Sequence, residues 1–229
     1  MLKFKLSLLF TFIFIFLLGS ISVRHALACE FISYSSYSEI APNIYSSSSF
    51  NNSQNEKLLS IINKSRSRVN STFGNMISNP KVIIAATEVE ASVFGSNAYG
   101  NALLTPFSQC IVFGPKGHNI DVVAHEYTHA EVHYRVGWLK HYLRIPIWFN
   151  EGVSLLVDFR EQYLMDNIVL TQDEIFSVKE KGVDFFSGDD VRKNYQAARV
   201  AVDSIDKTRL YENLEKIRQG EDLNDVFSL

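Results

Sequence analysis

The chain has 229 residues, of which 46% are apolar and 21% charged, with a formal net charge of -3. This is the composition of a globular protein; it excludes disordered and collagen-like classes and leaves no basic footprint for binding nucleic acid. Two cysteines exclude a disulfide-rich scaffold and a four-cysteine zinc site.

The first 28 residues read as an export signal. Lys3 and Lys5 precede an uncharged run from Leu6 to Val23, and Ala26-Leu27-Ala28 supplies the small-x-small pattern of a cleavage site. The run is also just long enough to stay uncleaved as a membrane anchor. Ala-Leu-Ala-Cys29 further resembles a bacterial lipobox, so Cys29 has three possible fates: lipidation, a disulfide with Cys110, or a free thiol. A membrane partner is expected only through such an anchor or lipid. The expected location is periplasmic or secreted.

Residues 29–55, rich in Ser, Asn and Tyr, read as a tether, followed by one domain over 56–229. Apolar spacing predicts a helix over 56–72. Lys81–Glu88 and Cys110–Phe113 read as strands, the second closed by Gly114-Pro115. Helical patterns dominate from there: 119–135, capped by Asn119 or Asp121 and stopped by Gly137; 147–160, with Pro146 in its first turn; then 171–180, 188–205, 208–219 and 221–227. Strands first and helices later predict an α+β fold, with a small N-terminal sheet and a helical C-terminal half.

The chemistry concentrates in Asp121-Val-Val-Ala-His125-Glu126-Tyr127-Thr128-His129. Histidines four apart on a helix share a face, so both imidazoles can reach one cation, and zinc prefers such ligands. Glu126 projects about 100° round the helix, where a general base can reach water without filling a coordination position. A third protein ligand is then needed. Glu151, in Trp148-Phe149-Asn150-Glu151-Gly152, is a carboxylate among apolar neighbours, which is costly unless paired or metal-bound. His118, His133 and His141 are rivals; His133 reads as solvated. Val132 and Arg135 stand where a metzincin would have Gly and His.

His125-Glu126-x-x-His129 followed by Trp148-Phe149-Asn150-Glu151-Gly152 resembles the gluzincin metallopeptidases of the MA clan, most of all their compact bacterial versions. The resemblance spans roughly residues 105–229. It implies one zinc per chain held by His125, His129 and Glu151, with Glu126 polarising the water and a peptide or protein as substrate. Asn150-Glu151-x-x-Ser154 is similar to the Asn-Glu-x-x-Ser-Asp motif of thermolysin-like enzymes, which makes Asn150 a supporting residue. Leu155 departs from that motif at the Asp that orients a histidine; Asp158, two turns after Glu151, is the substitute candidate. Tyr195, in Asn194-Tyr195-Gln196-Ala197-Ala198, resembles the tyrosine-bearing helix of these enzymes and is a candidate donor to the oxyanion. The strand carrying Ile111 and Val112 corresponds to the edge strand that pairs with substrate in them.

The resulting expectation is an exported zinc peptidase. The alternatives are a non-catalytic zinc domain at the cell envelope and a zinc hydrolase of a cell-wall amide. Nothing in the sequence bears on oligomeric state.

Overall fold

The computed structural model describes residues 23–105, 108–188 and 190–228. The export-signal reading rests mostly on residues 1–22 and lies outside them. The fold is α+β, as expected: a five-stranded mixed sheet followed by a helical C-terminal half.

Residues 23–30 form a helix, α1. Strands β1 (Ser38–Ala41) and β2 (Ile44–Ser46) follow, then α2 (Asn52–Phe73), β3 (Lys81–Ile84), α3 (Glu88–Val93), β4 (Gly100–Leu104) and β5 (Gln109–Phe113). The sheet order is β1-β2-β3-β5-β4, with parallel pairing of β2 with β3 and of β3 with β5 and antiparallel pairing at both ends. Alternation along the strands builds two cores. Ile44, Val82, Ile84, Ile111 and Phe113 face α2 and the later helices. Tyr45, Ile83, Cys110 and Val112 face the other way, where they meet Cys29, Ile32 and Phe94.

Two sequence expectations are corrected here. Residues 29–55 are not a tether. They supply two strands, the buried Cys29, Ile32, Ile44 and Tyr45, and the Asn51–Gln54 capping box that starts α2. Their serines mislead because Ser46 is buried with its hydroxyl donating to Asn55 Oδ1, so a polar composition hides packed backbone. Nor is β5 an edge strand. It runs between β3 and β4, and Ile111 and Val112 are both fully buried, one in each core, so neither can line a substrate site. The edge is β4, whose outer side pairs with no strand among the described residues.

Among the described residues seven α-helices follow: α4 (Ile120–Val136), α5 (Trp138–Arg144), α6 (Ile147–Leu155), α7 (Gln172–Ser177), α8 (Val191–Ala201), α9 (Leu210–Gln219) and a short last one, α10 (Leu223–Phe227). Asn119 caps α4, its Oδ1 accepting from Val122 N, and Gly137 ends it at φ 83°. Helix α4 is buried on nearly every side because α2, α6, α9 and β4 all pack on it. Cys29 and Cys110 form a disulfide, which fixes α1 to β5 and leaves no Cys29 sulfur for a lipid. Among the described residues no helix is long and apolar enough to cross a membrane.

Candidate metal centre

Helix α4 delivers His125 and His129 one turn apart, and α6 delivers Glu151 opposite them. All three side chains are buried. Their ligand atoms converge: the two Nε2 atoms are 3.0 Å apart, and Glu151 Oε2 lies 3.3 Å from His125 Nε2 and 3.5 Å from His129 Nε2. Bonds of 2.0–2.1 Å to a tetrahedral ion place ligand atoms about 3.3 Å apart, so this spacing fits such an ion. Glu151 Oε2 makes no hydrogen bond of good geometry, although it is buried. A buried carboxylate oxygen aimed at two imidazole nitrogens is what a cation site requires. The buried His125, His129 and Glu151 group can hold a metal ion.

The surroundings fix the tautomer of His129. Ser154 Oγ donates its one proton to Asn150 O, so it accepts from His129 Nδ1, 3.1 Å away. The Nε2 lone pair of His129 is then turned toward the centre. On His125, Nδ1 lies 3.6 Å from Asp158 Oδ2. Asp158 is itself clamped by the Arg160 guanidinium, with bonds of 2.9 and 3.0 Å from Nε and one from Nη2.

Asp158 reaches this place by a route the helical pattern did not predict. The helix expected over 147–160 ends at Leu155. Beyond it, Arg68 donates to Val157 O and the Asp121 carboxylate accepts from Phe159 N, which pulls the chain off the helix axis and onto α2 and α4. Asp158 therefore comes from a captured loop, not from the face of a helix.

Charge in the centre is balanced internally. Burial alone would raise the Glu151 carboxyl, but the neighbouring imidazoles outweigh it and hold it at about 2. Burial alone would lower His129, but Glu151 outweighs it and lifts the imidazole to about 9. Burial raises the Glu126 carboxyl above its usual range, although both histidines oppose this.

A cavity of about 500 Å³ opens onto the centre. It is lined by His125, Glu126, His129, Asn150, Glu151, Phe186 and Tyr195, and by Gly100, Asn101, Ala102 and Leu104 of β4. Tyr195 comes from α8, its ring against Phe185, Phe186 and Tyr163. Burial and the carboxylates Glu151 and Glu126 keep its hydroxyl protonated. The Asn150 side chain lines the cavity beside them, its Oδ1 buried without a hydrogen bond of good geometry to any described residue.

Of the rivals, His133 is not solvated but buried. Gln109 Nε2 donates to Ala130 O at 2.8 Å and to His133 Nδ1 at 2.9 Å. The neutral ring then carries its proton on Nε2 and has no lone pair left for a metal.

Sequence reading missed Gly100 and Phe186, and gave Ser154 no role. A Cβ on Gly100 would stand 3.2 Å from Glu126 Cγ and Oε1. A larger residue at the start of the edge strand would make the Glu126 side chain shift by a few tenths of an ångström. Ser154 was visible in the Asn-Glu-x-x-Ser spacing, whereas nothing near Gly100 or Phe186 marks them.

Comparisons with known protein families, with curated proteins and with solved structures find no match. The reading of this centre therefore rests on its geometry.

Proposed function

We propose that the protein is an exported zinc-dependent peptidase that hydrolyses peptide bonds with Glu126 as general base. The observation that carries the reading is the convergence of two imidazole nitrogens and one carboxylate oxygen at 3.0–3.5 Å, with a second carboxylate, Glu126, in the same cavity.

The donor chemistry favours zinc among the common metals, since two imidazoles and one carboxylate suit a borderline-soft ion better than magnesium or calcium. A zinc ion bound there supplies Lewis acidity, which brings the pKa of water toward neutrality and polarises a carbonyl. Glu126, its carboxyl raised by burial, takes the proton that the attacking water sheds and returns it to the leaving amine. The Tyr195 hydroxyl, held protonated, donates to the carbonyl oxygen as negative charge builds on it. Asp158 and Ser154 hold the two imidazole rings in place.

The unpaired edge of β4 runs along the cavity and supports a peptide as substrate. An extended chain can add to that edge through backbone hydrogen bonds, which gives affinity without strong sequence choice. Export is supported by the uncharged N-terminal run and by the Cys29–Cys110 disulfide, which an oxidising compartment preserves.

The test is Glu126→Gln, assayed on a mixed peptide library beside the parent. It should bind zinc as the parent does and lose at least about 100-fold in hydrolysis, the usual contribution of a general base. Full activity with zinc bound would refute the mechanism.

A further inference from the structure

Helix α5 is inside out. Trp138, Leu139, Tyr142 and Leu143 occupy positions i, i+1, i+4 and i+5 and so share one face, where they are 43%, 57%, 80% and 67% exposed. The polar residues point the other way. Lys140 Nζ donates to Arg218 O, Arg144 Nη1 donates to Gly220 O at 3.0 Å, and His141 stacks edge-on against the buried His133. A seven-residue helix that spends its cations on capping α9 and turns Trp, Tyr and two Leu outward is not explained by the fold.

A second apolar stripe lies nearby. On and just after α1, Val23, Leu27 and Phe31 follow at i, i+4 and i+8, all at least half exposed, and Tyr34 continues beyond them. The end of α1 and the start of α5 border the same surface, because Glu30 and Trp138 line one cavity of about 560 Å³. The sequence shows what lies before α1: the eighteen uncharged residues from Leu6 to Val23 lead directly into the first stripe.

We propose that the α1–α5 face rests on a phospholipid bilayer, with α5 lying in the headgroup region. Three features select this occupant. Retained as the uncleaved anchor that its length allows, the apolar run that leads into α1 has the composition and nearly the length of the hydrocarbon layer, so it brings this face to a membrane surface. Trp and Tyr, with an apolar body and a polar tip, are the side chains that favour that boundary. Helix α5 carries no acidic residue, so it presents no carboxylate that anionic headgroups would repel. The proposal is independent of the chemistry of the metal centre.

The chain has two tryptophans, and Trp148 is buried. The full chain would be synthesised into vesicles of phosphatidylcholine and phosphatidylglycerol, with and without brominated acyl chains, beside Trp138→Phe. The parent should float with the vesicles and lose emission to the brominated lipid, and Trp138→Phe should abolish that loss. Three results would overturn the proposal: no flotation, emission quenched by aqueous acrylamide but not by brominated lipid, or emission shielded from both. The last would mean that protein, such as a second copy of the chain, covers the stripe.

Discussion

Asp158 and Gly100 show how single residues set this centre. Asp158 has almost no exposed surface, and its carboxylate is bonded to Arg160 and lies 3.6 Å from His125 Nδ1. Asp158→Asn keeps the shape but removes the charge that orients His125. Zinc affinity should fall by about 10- to 100-fold, as for other residues that support a ligand, in a competition titration with a chelator. Unchanged affinity would leave Asp158 as a partner of Arg160 alone. Gly100→Ala tests a different dependence. The added methyl presses on Glu126 and on Val122 Cγ1, each 3.2 Å away, and not on the three ligands. Hydrolysis should drop while zinc content stays at the parent's level; a joint loss would mean that the edge strand supports the ligands too.

Among the elements, the contact between α6 and α8 depends on Gly152, where a Cβ would stand 2.4 Å from Ala198 O. This backbone approach brings Tyr195 over the cavity. Gly152→Ala should cost about 1–3 kcal/mol in urea unfolding, the usual penalty of overpacking. The glycine of the Trp-Phe-Asn-Glu-Gly motif is thus a packing requirement that was visible in the sequence without its reason. Much else at this scale was legible. Most helices from Asn119 onward, the Asn119 cap and the Gly137 stop follow from short-range rules, because apolar spacing and caps act within a few residues, whereas α5, with its apolar face outward, was not expected. What escaped depends on distant partners. Strands β1 and β4 have weak patterns because they are sheet edges, and the early end of α6 is imposed by Arg68 and Asp121 from other helices. His133 read as solvated and His141 carried no reading beyond that of a rival ligand, yet burial holds both down to about 4, well below their ordinary 6.5. The unfolded chain then binds protons that the folded one refuses, so stability should fall as pH drops from about 6.5 to about 4. A His133→Gln, His141→Gln double variant should flatten that part of a pH series of urea titrations; an unchanged slope would assign it to the carboxylates.

For the whole molecule, the disulfide joins residues 81 apart and ties the N-terminal segment to β5, an interior strand of the sheet. Cys29→Ser should lower stability by about 2–5 kcal/mol in urea unfolding, and a loss near zero would mean that α1 holds its place by packing alone. The sheet and the buried α4 form a rigid frame on which the ligands, the base and the edge strand meet. The proposed function requires that this centre hold a metal. The most direct test is the metal content of the purified full chain by mass spectrometry, beside His129→Ala and Glu151→Ala, after zinc has been offered. The account predicts about one zinc per parent chain and a clear loss in both variants. A folded parent with no metal would contradict it, and so would zinc that survives Glu151→Ala undiminished.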